Sequence, residues 1–353
     1  MNFIYEGTIF LSRNIINNFC FLSMKSLKNI LFLILSMLVF STSIAQTCLF
    51  NDLVDDLVQQ NSSFQAFVES EKGFRAWKIL ATEAPSLRTD MQELTLVLNN
   101  LELIENVGTK NYKSWKLLRD AGRTQLMKNA DVLETLTRIR ANKNLKKIGA
   151  TDELLAKIQG VEGVSYEQVL NNLDLFANNM AKNNVTLNDF NKVLNQLTQE
   201  VSKRDGANWI VEYLAKNSDQ FKGKTIKFEE FNSTTLGGRF IDVTDETFSF
   251  NKIFYEFKSV KTVPPKDFAE QFMKDLSNAD NLSQIKWIFN GSKNPVDFKK
   301  NMLEAIDNIF NSKNSNIQRQ LRQISEKITG FDDINILKSD IINNFNNIFN
   351  KID

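Results

Sequence analysis

Between about residues 50 and 200 the apolar positions recur at helical spacing. Phe190, Val193, Leu194, Leu197 and Val201 form one such stripe, and Leu170, Leu173, Ala177 and Met180 another. Ser165-Tyr166-Glu167-Gln168 has the pattern of a capping box, in which serine and glutamine side chains each satisfy a free backbone amide at a helix start. No segment of this region alternates with the period of two expected of a strand. Gly73 to Leu80 (GFRAWKIL) is echoed by Asn111 to Leu118 (NYKSWKLL), with Phe74 matching Tyr112 and Trp77 matching Trp115. Two copies are too few for a solenoid, so the echo predicts two similar helices anchored in a core by their aromatics.

The pattern changes near Lys203-Arg204-Asp205-Gly206, which reads as a domain junction. A helix-like stretch over 207–215 follows. Three segments rich in β-branched and aromatic residues then predict strands at 225–231, 239–243 and 253–260. Pro264-Pro265 interrupts the chain, Asp267 and Glu270 suit the start of a helix reaching about Asn278, and 285–289 (IKWIF) reads as another strand. The order helix, three strands, helix, strand defines an α+β unit. From about residue 296 the periodicity is helical again, in Asn-rich sequence that suggests no chemistry. The expected layout is an N-terminal extension and signal peptide (1–45), a helical domain (46–202), the α+β domain (203–298) and a helical C-terminal extension (299–353).

The first segment predicts export. After Met24, Lys25 and Lys28 precede a run of apolar residues over 29–40, and Ser43-Ile44-Ala45 offers small residues for cleavage before Gln46. The run is shorter than the ~20 residues a helix needs to cross a bilayer. A secreted chain cleaved near Ala45, without stable membrane anchoring, is therefore expected. It would keep Cys48 alone of the two cysteines, and so no intrachain disulfide.

Composition narrows the chemistry. The 353 residues contain no histidine, which removes serine–histidine relays and histidine-ligated zinc. Carboxylates and lysines remain, and these suit hard ions such as Mg²⁺. A formal charge of +1 leaves any attraction to nucleic acid to local patches, of which Lys222, Lys224 and Lys227 form one.

One constellation carries such chemistry. Asp242 closes an apolar strand, and Glu256 and Lys258 lie on the next. Residues two apart on a strand share a face, so Glu256 and Lys258 project together, and a hairpin would bring Asp242 beside Glu256. Two carboxylates can hold a divalent cation that activates water for phosphodiester hydrolysis, with the lysine orienting that water or stabilising the transition state. The same three residues would equally suit a solvated sheet face with a turn-starting aspartate. As an exposed position, Lys258 should tolerate methionine at a cost of no more than about 0.5 kcal/mol.

In this order of elements, Ile241-Asp242 followed by Glu256-Phe257-Lys258 resembles the PD-(D/E)XK, or restriction-endonuclease-like, superfamily. Residues 252–294 resemble more closely the nuclease domains of bacterial polymorphic toxins. They share the Glu-Phe-Lys-Ser segment, the Pro-Pro-Lys-Asp-Phe approach to the helix, Gln271 within it and the Ile-Lys-Trp-Ile-Phe strand. The helical stretch with Ser114-Trp115-Lys116-Leu117-Leu118 and Ala121-Gly122 is similar to such toxins too. Ile241 departs from the family's proline. The resemblance implies a metal-dependent endonuclease, on DNA ahead of RNA, using Mg²⁺ or Mn²⁺. Asp242 and Glu256 would bind the metal with Glu212, Lys258 would be the catalytic lysine, and Gln271 and Arg239 would face the substrate. It also implies a cognate immunity protein. The other class left open is a non-catalytic exported binding or scaffold protein with a helical platform.

Overall fold

The computed structural model describes residues 62–353 except 249–250, 294–296 and 353. The proposed signal peptide, Ala45 and Cys48 lie outside them. The chain forms two compact units, one ending at Leu101 and one beginning at Glu102.

In the first unit, α1 (Ser62–Glu69), α2 (Glu71–Glu83) and α3 (Met91–Asn99) follow one another. Ser70 caps α2 by accepting the Gly73 amide at 3.0 Å, and Asp90 caps α3 through the amides of Gln92 and Glu93. Helix α4 (Leu101–Asn106) leads into the second unit. There α5 (Tyr112–Asp120), α6 (Ala130–Arg140), α7 (Lys143–Lys147), α8 (Asp152–Lys157) and α9 (Tyr166–Lys182) form a helical layer. The capping box at Ser165 and Gln168 is present, with bonds of 3.2 and 2.8 Å. The echoed segments lie in α2 and α5. Phe74 stacks on Trp77 at 6.0 Å and Tyr112 on Trp115 at 6.1 Å, and both tryptophans are buried. They are core anchors.

The rest of the second unit surrounds a sheet. The elements are β1 (Thr186–Asn188), α10 (Phe190–Gln196), α11 (Val201–Lys216), β2 (Thr225–Thr234), β3 (Gly237–Asp245), β4 (Ile253–Lys258), α12 (Phe268–Asn278) and β5 (Ile285–Asn290). Then come α13 (Phe298–Phe310), α14 (Ser315–Thr329), α15 (Ile334–Asn343), α16 (Phe345–Ile348) and β6 (Phe349–Ile352). The six strands are ordered β1-β2-β3-β4-β5-β6. β2, β3 and β4 form an antiparallel meander, whereas β4-β5-β6 run parallel and β1 runs parallel to β2. β2 and β4 are thus each a junction of the two pairing modes.

Both faces of the sheet are covered. On one, Tyr213 of α11 meets Phe257 edge-on at 5.3 Å, and the Trp209 indole donates to the Ile288 carbonyl at 3.2 Å. On the other, Phe268, Phe272 and Leu276 of α12 pack with Trp287, Phe289 and Phe349, backed by Met302, Ile306, Leu321 and Ile341. Fully burying one such side chain contributes ~1.5–3 kcal/mol. Double coverage explains why β4 is apolar on both faces except at Glu256 and Lys258.

The mixed α+β architecture and its central helix–strand–strand–strand–helix–strand order agree with the sequence. Other features differ. β1 contradicts an all-helical stretch to residue 200, but three residues cannot display an alternating pattern; the Thr186 amide is instead drawn to the Lys224 carbonyl at 2.9 Å. β6 lies in the region read as wholly helical, so the sheet extends beyond 203–298 at both ends. Lys203 to Gly206, read as a junction, lies inside α11, whose polar first turn is exposed while Ala207 to Val211 are buried. Asp267 makes no side-chain cap on α12, and Glu270 is bonded to Lys274 instead.

Candidate functional site

The site begins where β3 and β4 stop pairing. Their ladder runs through Asp245–Ile253, Thr244–Phe254 and Val243–Tyr255. At the next step a side chain replaces the backbone partner, and Asp242 Oδ2 accepts the Phe257 amide at 2.7 Å. Asp242 is thereby fixed on the rung that Glu256 occupies on β4.

Alternation along β4 separates its side chains. Tyr255 and Phe257 meet the Phe221 and Tyr213 rings, whereas Glu256 and Lys258 turn towards α12. Lys258 Nζ bonds Glu256 Oε1 closely, donates to Gln271 Oε1 of α12 at 2.9 Å, and lies 5.1 Å from the centre of the Trp287 ring. Glu256 is 5% exposed. Its second oxygen faces Arg239 Nη2 at 2.8 Å as an ion pair; no N–H is aligned with it, so this buried Oε2 accepts no hydrogen bond among the described residues. Arg239 Nε also donates to Asp275 Oδ1 of α12 at 2.6 Å, and Trp287 Nε1 donates to Asp275 Oδ2 at 3.0 Å. Asp242, Glu256, Lys258, Gln271 and Arg239 therefore meet, joined by Asp275.

The charges are strongly perturbed. Burial, and then the Glu256 charge, push the Asp242 carboxyl well above its ordinary range, against Lys258 and the Phe257 amide. Burial raises Asp275 to about 6, although Arg239 opposes the shift. Burial disfavours the Arg239 charge, but Glu256 and Asp275 outweigh it and hold the guanidinium above its usual value.

Two acidic residues of this region were not anticipated. Glu229 lies at the step the β2–β3 ladder skips, between the Phe228–Val243 and Glu230–Ile241 pairs, with a left-handed φ of 50°, a conformation costing a non-glycine residue roughly 1–2 kcal/mol. Its Oε1 accepts from Gln196 at 2.9 Å, and burial raises its pKa. The adjacent acids Glu229-Glu230, set between Phe228 and Phe231, were the available signal. Asp275 gave none, because one acid on an amphipathic helix reads as surface.

Glu212 is not brought to the pair. It projects from α11, which packs on the face of Tyr255 and Phe257, and its Oε1 binds Lys216 at 2.8 Å. The proposed phosphate patch is largely neutralised: Lys224 pairs with Asp245 at 2.9 Å, and Lys227 with Glu230 at 3.4 Å. Among the described residues, no three or more Asp, Glu or Cys side chains gather closely enough to hold a metal ion. A pair of carboxylates still fits Mg²⁺, which commonly takes one or two protein carboxylates and completes its shell with water and phosphate. Both Glu256 oxygens already face cations, Lys258 and Arg239, so a metal ion would share or displace them, while it would relieve the desolvated Asp242. Among the described residues no helix is long and apolar enough to cross a membrane.

Compared with models of protein families, with curated proteins and with solved structures, the chain matches none.

Proposed function

We propose that this chain is a metal-dependent nuclease of the restriction-endonuclease-like class, exported as a toxin and restrained in its producer by an immunity protein. The observation that carries the reading is the joining of Asp242, Glu256 and Lys258, on adjacent strands, with Gln271 of α12. Asp242 and Glu256 would hold Mg²⁺ or Mn²⁺, which when bound supplies Lewis acidity and lowers the pKa of a coordinated water towards ~7. The Phe257 amide fixes Asp242, and Arg239 pairs with Glu256 at 2.8 Å. Lys258 would place its ammonium against the attacking water or scissile phosphate, held there by Gln271. DNA is the preferred substrate, and Glu212 is left without a part.

One observation favours a structural, non-catalytic role within an exported scaffold. Lys258 and Arg239 both direct their charge to Glu256, as in a buried ion network that only holds β3, β4 and α12 together. Incubating the purified mature chain with plasmid, single-stranded DNA and total RNA, with and without Mg²⁺, separates the two. Cleavage requiring Mg²⁺ and lost in Glu256→Gln is expected. Intact nucleic acid throughout, or equal cleavage by Glu256→Gln, rejects the nuclease reading.

A further inference from the structure

A cavity of about 630 Å³ lies on the far side of α12 from the Gln271–Lys258 bond, between that helix and α13 and α14. Its volume falls within the ~300–1,000 Å³ typical of small-molecule sites. Pro264, Phe268, Met273, Ala305, Ile309 and Ile317 give it an apolar wall. The pocket is half open to solvent, so an apolar occupant gains by removing that wall from water.

The charged groups on the lining define the other end of that occupant. Lys266, Lys274 and Glu270 are the ionised side chains among the lining residues, so positive charge is in excess. Glu270 is committed to Lys274 at 2.7 Å. Lys266 is exposed and has no carboxylate partner among the described residues. An anionic head would therefore meet an unspent ammonium, whereas a cationic head would be repelled.

We propose that this cavity binds an amphipathic carboxylate, with its hydrocarbon body against Phe268, Met273 and Ile309 and its carboxylate at Lys266. The site stands apart from the nuclease reading, because none of its lining residues contacts nucleic acid in that reading. α12 nevertheless serves both: Phe268 and Met273 face the cavity, while Gln271 and Asp275 reach Lys258 and Arg239.

Titration calorimetry on the mature chain tests the proposal, with decanoate as the probe and decanol and decyltrimethylammonium as head-group controls. Saturable binding of one decanoate is expected, at least tenfold tighter than either control. Ala305→Phe and Ala269→Phe fill the cavity from opposite walls, and each should weaken decanoate at least tenfold. Lys266→Glu should remove the preference for decanoate over decanol. Melting curves identify any filling variant that fails to fold, in which case the other decides. No saturable binding, equal binding of the three compounds, or unchanged affinity in the folded filling variant overturns the proposal. Nuclease activity plays no part in the measurement, so the two readings fail separately.

Discussion

Lys258 Nζ donates to Gln271 Oε1 at 2.9 Å, tying the end of β4 to the middle of α12. The lysine is 14% exposed and also pairs with Glu256, so it is a half-buried, ion-paired cation and not the solvated strand residue its position suggested. Two expectations for Lys258→Met follow. Cleavage should fall by on the order of 10²–10³, the usual loss when one preorganised transition-state charge is removed. Stability should also fall, by about 1–3 kcal/mol instead of the ~0.5 kcal/mol of an exposed site, because Glu256 Oε1 loses its donor. Urea melts and a plasmid assay measure both, and wild-type cleavage by the folded variant would remove Lys258 from the mechanism.

Arg239 is the second cation, shared by Glu256 and Asp275, with both partners buried. Replacing it with methionine keeps the apolar stem, leaves buried Asp275 without its countercharge and leaves Glu256 with Lys258 alone. Breaking a buried pair in this way costs roughly 3–5 kcal/mol. Chemical denaturation of Arg239→Met should show a loss of that order. A loss below ~1 kcal/mol would mean that Arg239 is solvated and that its bridge to α12 contributes little.

Acidity gives a third expectation, with a sign opposite to that of most ion-paired carboxylates. Asp275 titrates near 6 in the fold and near 3.8 when unfolded, so between these values the folded state binds the extra proton. That contribution to stability is fully present below the unfolded value and is lost as pH rises through about 6. Asp242 shifts in the same direction. Moving from pH 7.5 to 5.5 should therefore raise stability, by on the order of 1–3 kcal/mol. Asp245, held below its ordinary range by the Thr247 and Lys224 bonds despite burial, keeps its benefit until lower pH. Thermal melts across the window check the slope, and Asp275→Asn should flatten it. A wild type that instead loses stability steadily from pH 7.5 to 5.5 contradicts the assignment.

How legible the molecule was in its sequence depended on how far apart the cooperating residues lie. The β2–β4 meander and α12 could be read because their residues alternate or repeat locally, and Glu256 and Lys258 share a face by spacing alone. Asp242 needed only the assumption of a hairpin. Asp275 meets Arg239 across 36 residues and β6 meets β5 across about 60, through packing that no local period encodes. Glu212 failed for a related reason: its helix was identified, but not the sheet face on which that helix packs. The partial burial of Lys258 was hidden too, since its cover comes from Trp287 and α12 and not from β4 itself.

The change from antiparallel to parallel pairing at β4 has a kinetic consequence. Residues 225–258 can zip into the meander through short loops, whereas β5 and β6 must close much longer ones before their pairing repays the lost chain entropy. Amides of Val243 and Tyr255 should accordingly gain protection before those of Trp287 and Phe349 in pulse-labelled hydrogen exchange; the reverse order would place the nucleus elsewhere. In the interval, Asp242 and Glu256 already face each other while Gln271 and Trp287 are still absent from Lys258. The arginine that accompanies the acids is carried by β3 itself, so the nascent meander brings its own neutralising charge.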